Sequence, residues 1–215
     1  MYNCHMKEIY EKYYEFLTEW NEKINLTTIT KKEEVYKKHF LDSILIKDEF
    51  KSGAKVLDIG SGAGFPAVPL KIEREDLNFT LIDSVGKKVD FLNNLIAHLE
   101  LKNIVALKSR IEEHKVFDYD YVTSRAVAPL GVLVEYCLPF LKVGGVMVAY
   151  KSVNCDEELQ EAKKAIELLG GKVEEIKEKR LDDETVRRFI FIKKIKPSPK
   201  GYPRGQNKPR LKPIK

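Results

Sequence analysis

The residues with the clearest capacity for chemistry lie in the stretch Lys55-Val-Leu-Asp-Ile-Gly-Ser-Gly-Ala-Gly-Phe-Pro66. Asp58 stands two positions before the first of three alternating glycines, Gly60, Gly62 and Gly64. A glycine-rich turn between a strand and a helix lets backbone approach a ligand closely and points N–H groups at it. Asp83 follows 23 residues after Gly60, where a carboxylate accepts hydrogen bonds from ribose hydroxyls. This spacing predicts a pocket for a nucleoside-bearing cofactor. Ile111, Glu112, Ser124, Arg125, Lys151 and Ser152 each follow or close a later apolar run and complete the candidates.

Two cofactors compete for such a pocket. The dinucleotide fingerprint Gly-x-Gly-x-x-Gly needs a third glycine where this chain has Phe65, with Pro66 after it. Asp58 would also set a negative charge where a diphosphate must pass, whereas a ligand carrying an ammonium group would be favoured there. S-adenosyl-L-methionine has that ammonium, a sulfonium and no phosphate, and is the cofactor expected. A nicotinamide-dependent oxidoreductase remains the alternative from another class. A third reading is a non-catalytic RNA-binding protein that keeps the fold.

The methyl acceptor is narrowed by what the strand ends lack. After the fourth strand the chain reads Thr123-Ser-Arg-Ala-Val-Ala-Pro129, not the Asp/Asn-Pro-Pro-aromatic turn used for exocyclic amines. Cys137 falls within an apolar helix, an unpromising place for a nucleophile. A ring nitrogen such as guanine N7 has a free lone pair and needs only alignment with the methyl group. Arg125 and Lys151 are candidates for gripping substrate phosphates or the guanine O6. His39 is expected to pack against the domain with its ring hydrogen-bonded.

These residues must be positioned by alternating elements. Ile9, Tyr13, Phe16, Leu17 and Trp20 recur at helical spacing. A second helix carries Val35, Tyr36, His39, Phe40, Ile44 and Leu45, with Thr30 and Glu33 spaced as a capping box before it. Strands are predicted at 56–59, 79–82, 104–107, 119–124 and 146–150. Helices are predicted from Pro66 to about 74, over 87–101, 130–141 and 156–169, while the third strand closes at Ser109-Arg-Ile-Glu112. Two late strands, 172–177 and 187–194, lack a helix between them and should form an antiparallel edge hairpin. The pattern specifies a mostly parallel sheet with helices on both faces.

Composition sets the outer bounds. The chain has 215 residues, 43% hydrophobic and 33% charged, enough for one core with a small appendage. Nothing approaches the length of a membrane span, and the first residues lack an apolar signal core, so a cytoplasmic location is expected. A monomer is the expected state. Cys4, Cys137 and Cys155 have no metal or disulfide spacing. Two Asn-x-Thr triplets, at Asn25 and Asn78, have no secretory context to give them meaning. From Lys193 to Lys215 there are nine basic residues and no acidic ones; setting them aside from the net +5 leaves a body of −4. That tail also holds five prolines, so it suits an extended arm along a phosphate backbone, or equally a disordered solubilising tail, rather than a packed helix.

The combination resembles the bacterial 16S ribosomal RNA guanine-N7 methyltransferases, also called the glucose-inhibited division protein B family. The resemblance covers nearly the whole chain. It is carried by Trp20-Asn with Asn25-Leu-Thr27, His39-Phe-Leu-Asp-Ser43, the stretch 55–66, Leu81-Ile-Asp-Ser84 with Gly86-Lys-Lys88, Ser124-Arg-Ala126 and Tyr202-Pro-Arg204. It implies an α/β fold of the class I S-adenosylmethionine methyltransferases, with a Rossmann-like, mostly parallel seven-stranded sheet. The layout expected is a helical appendage over 1–50, the methyltransferase domain over 51–195 and a basic tail over 196–215. It also implies cofactor contacts at Gly60, Phe65, Ile111, Glu112 and Arg125, with Asp58, Gly62, Gly64 and Asp83 around them. Arg125, Lys151, Asn25 and the tail would face 16S rRNA or the small ribosomal subunit. Ala67-Val68 and Tyr150-Lys-Ser152 depart from the family's usual Gly-Ile and Leu-Lys-Gly, which bears on the substrate side.

Overall fold

The computed structural model describes residues 4–125 and 127–214. Ala126 of the Ser124-Arg-Ala motif, Lys215 at the tail's end and the side chain of Cys4 lie outside the described residues. Seven strands form one sheet: β1 Lys55–Ile59, β2 Asn78–Asp83, β3 Ile104–Lys108, β4 Tyr119–Arg125, β5 Leu141–Ser152, β6 Gly171–Arg180 and β7 Val186–Lys194. Their order is β3-β2-β1-β4-β5-β7-β6. The first five run parallel, while β7 lies antiparallel between β5 and β6. Strand order reverses between β1 and β4, which opens a crevice at their carboxyl ends.

Period-2 alternation assigns each strand residue to one of two cores. Val56, Phe79, Leu81 and Val148 face a cluster containing Tyr10, Tyr13, Leu17, Phe40, Phe65 and the buried sides of helices Ala67–Glu73 and Gly86–His98. Leu57, Ile59, Ile82, Val122 and Met147 face the opposite cluster, under helices Leu130–Cys137 and Asp156–Leu168. Helix Cys4–Asn21 joins the first core through its apolar stripe. Tyr13 and Phe40 centre their rings 4.9 Å apart, and each such buried ring contributes about 2–3 kcal/mol. Among the described residues, no helix is long and apolar enough to cross a membrane.

Three expectations need correction. The second helix starts at Lys32 after Lys31, with no side-chain cap; Thr30 uses its carbonyl to accept from Tyr14 Oη. Strand β5 starts at Leu141, earlier than its apolar run: Leu141 pairs with Tyr119 and Val146 with Tyr121, so an irregularity opposite Asp120 takes up residues 142–145. The C-terminal tail is not an extended arm. It folds back on the body, buries Pro209 and forms a short helix, Lys208–Leu211. Pro209 is tolerated because it occupies the first turn, where a missing N–H breaks no helical hydrogen bond.

Candidate functional site

The glycine turn is built by close approach. Gly60, Gly62 and Gly64 all have left-handed φ, at 73°, 55° and 93°. A Cβ on Gly60 would meet Val127 Cγ2 at 2.6 Å, and one on Gly64 would meet Tyr13 Oη at 2.6 Å. Tyr13 Oη also donates to Ala63 O (2.5 Å), so the N-terminal helix braces the turn from behind. The turn's amides are less free than the sequence suggests. Gly60 and Ser61 donate to Ile82 O, Gly64 and Phe65 to Ser61 O, and Gly62 to Asp83 Oδ2. That commitment weighs against a diphosphate, which is recognised through just such amides.

Asp83 closes the ring at the end of β2. Its Oδ2 accepts from Gly62 N–H (3.0 Å) and its Oδ1 from Val85 N–H (2.9 Å). Each oxygen keeps a second lone pair, and the residue lines the cleft. Asp58 is 1% exposed; Thr123 Oγ1, its register partner on β4, donates to Oδ1 (2.7 Å). Its Oδ2 has no hydrogen-bond partner, and burial raises its pKa to about 6. A buried carboxylate oxygen left unmatched is a natural place for a cationic group.

A cleft of about 540 Å³ gathers Gly60, Asp83, Lys88, Ile111, Glu112 and Arg125 at the exits of β1 to β4. Among the cleft residues that sequence reasoning did not single out are Val127, Tyr136, Asn207 and Arg210. No local pattern marks Tyr136, and Asn207 and Arg210 arrive only because the tail folds back. Asp58, Gly62, Gly64 and Phe65 do not line this cleft; they sit beneath or behind it. Phe65 is turned into the first core, stacked on Tyr13 and His39.

Arg125 also lines a second cleft of about 340 Å³ with Lys38, His39, Asp42, Tyr150, Lys151, Arg187 and Phe189. It lies over the Phe65 ring at 5.1 Å, and Nη1 donates to Asp42 Oδ2 (2.7 Å). Asp42, 3% exposed, accepts a second guanidinium through Arg187 Nε (2.5 Å). Arginine has no acceptor, so the 3.2 Å contact between Arg125 Nη2 and His39 Nδ1 makes Nδ1 the acceptor. His39 Nε2 then carries the proton and donates to Thr27 Oγ1 (2.8 Å). Burial, then the Arg125 charge, lowers the His39 pKa to about 4, so the ring is neutral. Lys151 reaches this cleft, but its ammonium is held by Glu158 Oε2 (2.6 Å) and Ala128 O. Asn25 lies exposed on a loop and lines neither cleft. Asp42 was within reach of sequence reasoning through the His39-Phe-Leu-Asp-Ser43 motif; nothing in the sequence singles out Arg187.

Cys137 is fully buried and its thiol is pushed up, burial being the main cause, so it offers no nucleophile. Among the described residues, no group of three or more His, Cys, Asp or Glu side chains is placed to hold a metal.

This sheet order, with a ligand cleft at its switch point and a ribose-type carboxylate after β2, defines a class I methyltransferase fold. Solved structures of that fold superpose on the chain. A SAM-dependent methyltransferase from Aquifex aeolicus has a TM-score of 0.56 at 20% identity, covering 74% of this chain and 92% of that one. TYW2 from M. jannaschii in complex with AdoMet gives 0.56 at 16% identity, covering 72% and 77%.

The family is settled by closer likeness. The family described as rRNA small subunit methyltransferase G (GidB) matches residues 6–190, and the chain belongs to it. The "Ribosomal RNA small subunit methyltransferase G" of Lachnoclostridium phytofermentans is 50% identical, covering 99% of this chain and 91% of the relative. Its namesake in Desulforamulus reducens is 49% identical, covering 95% and 89%. Neither the nicotinamide-dependent nor the non-catalytic reading gains support from these likenesses.

Proposed function

We propose that the protein transfers the methyl group of S-adenosyl-L-methionine to N7 of a guanine in 16S rRNA, in the cytoplasm. When bound, S-adenosylmethionine supplies an electrophilic methyl group. Asp83 is suited to the ribose hydroxyls through its two unused lone pairs. Asp58 offers a buried negative charge to the ammonium group. Ile111 and Glu112 would flank the purine at the exit of β3.

The observation that carries the N7 reading is the state of the ionisable groups around the second cleft. Asp42 is committed to two guanidiniums, and Lys151 to Glu158. His39 is neutral but has both ring nitrogens engaged, and burial drives the Tyr150 phenol well up while its hydroxyl donates to Ser43 O. None is free to take a proton, and attack by the N7 lone pair releases none. Tyr150 and Phe189 give a base an apolar wall, while Arg125 and Arg187 offer donors to the guanine O6 and backbone phosphates.

The test is transfer of a labelled methyl group from S-adenosylmethionine to small ribosomal subunits, followed by mapping of the modified nucleotide. Label at N7 of one guanine is expected. Label on an exocyclic amine or a ribose, or no label with subunits lacking the modification, would sink the proposal.

A further inference from the structure

We infer that the chain's own C-terminal segment, residues 202–212, is a wall of the cofactor cleft, with Arg210 and Asn207 as binding residues for the nucleoside half of the cofactor. This rests on the methyltransferase reading above but assigns contacts beyond it; the segment also lies past the residues that the family match covers.

The segment is anchored at several points. At its root, Lys194 is 2% exposed and donates to Leu138 O, Leu169 O and Ser198 Oγ. Midway, Arg204 grips Glu135, itself 1% exposed, through its backbone N–H, Nε and Nη2 at 3.0, 2.8 and 2.7 Å. Such a bidentate, charge-assisted pair fixes direction as well as position. Pro209 is buried beyond it, and Tyr202 and Ile214 pack on the second core.

What this clasp delivers is two polar side chains at the cleft. Arg210 Nη2 donates to Val127 O (2.9 Å), beside the closest neighbour of Gly60. Asn207 Oδ1 lies 3.5 Å from Tyr136 Oη, at the limit of a hydrogen bond. Glu112, Tyr136 and Arg210 line the cleft together; burial and then the Glu112 charge raise the Tyr136 phenol's pKa, while Arg210 lowers it. The segment thus crosses from the exit of β4 to the exit of β3, where Ile111 and Glu112 stand. A purine entering there meets a guanidinium plane, able to stack or to donate to ring nitrogens, and an amide able to do both. The basic tail is then a cofactor wall, whatever else its lysines touch.

The test is calorimetric titration of the full chain and of Arg210→Ala with two probes. One is S-adenosylhomocysteine; the other is 5′-methylthioadenosine, which keeps the nucleoside and lacks the amino-acid end. Arg210 is exposed, so the variant should unfold at the wild-type temperature. Both probes should bind about tenfold more weakly to the variant, the loss expected for one hydrogen bond from a charged group. Equal affinity for both probes overturns the inference. So does a loss confined to S-adenosylhomocysteine, which would move Arg210 to the amino-acid end. If wild type binds neither probe, the methyltransferase reading itself falls.

Discussion

Asp83 and Asp42 anchor two halves of the site in opposite ways. Asp83 accepts from two backbone amides of its own neighbourhood, Gly62 and Val85, and keeps lone pairs facing the cleft. Asp42 is sealed between two arginines that reach it across 83 and 145 positions of sequence. The first carboxylate is built to receive a ligand. The second is built to hold Arg125 at the junction of both clefts, with Arg187 on its other oxygen. Removing Asp42 orphans two guanidiniums, whereas removing Asp83, 7% exposed at the cleft, orphans two neutral backbone amides, a smaller cost to the fold.

The largest effect should therefore come from Asp42→Ala. It leaves two guanidiniums without their carboxylate and should lower unfolding free energy in urea by about 3–5 kcal/mol. A loss below about 1 kcal/mol would mean that both arginines rest on other partners. Asp83→Ala should act on the ligand instead. S-adenosylhomocysteine should bind about a hundredfold more weakly, the equivalent of two hydrogen bonds to a charged group. Asp83→Asn, which retains one acceptor oxygen, should recover part of that loss. If Asp83→Ala bound as well as wild type, the two carboxylates would not differ as argued.

The same contrast explains which parts were legible in sequence. The cofactor half is local: strand, glycines and Asp83 occupy fewer than thirty consecutive residues, and their spacing is dictated by backbone geometry. The alternation of strands and helices gave the sheet for the same reason. The Arg125 half is assembled from helix 32–44, β4 and β7, and no spacing rule links Asp42 to Arg187. Phe65 was legible as the residue that displaces a dinucleotide glycine, but not as the floor on which Arg125 and His39 stack. The tail misled because proline content describes a free chain. Its anchors, such as Glu135 buried in a distant helix, lie far from it in sequence.

A pH series sharpens the comparison further, because Asp58 should behave like neither carboxylate. Its pKa, raised by burial to about 6, lies above its unfolded value, so the ionised form destabilises the free protein. As pH falls through 6 toward 4, that penalty is relieved. Binding an ammonium group requires the ionised form, so cofactor affinity should fall over the same range, about tenfold between pH 7 and pH 5. Titrations at the two pH values should show that drop in wild type and a flat profile in Asp58→Asn. A flat wild-type profile would remove Asp58 from the ligand's surroundings.

The smallest effect concerns His39, whose stability linkage has the opposite sign. Its pKa is depressed to about 4 by burial and by Arg125, below the ordinary value of 6.5. The fold therefore favours the neutral ring, and that contribution is complete above pH 6.5 and lost as pH falls toward 4. His39→Phe preserves the stack on Phe65, whose ring centroid is 4.4 Å away, while removing both hydrogen bonds. At pH 7.5 the variant should lose about 1 kcal/mol, the net value of ordinary hydrogen bonds. Between pH 6.5 and 4.5 the gap should close and then reverse, because keeping the ring neutral costs the wild type about 2 kcal/mol over that range and costs the variant nothing. A gap that widened with acid would mean that His39 is charged in the fold, and Arg125 would then need a different neighbour to hold it.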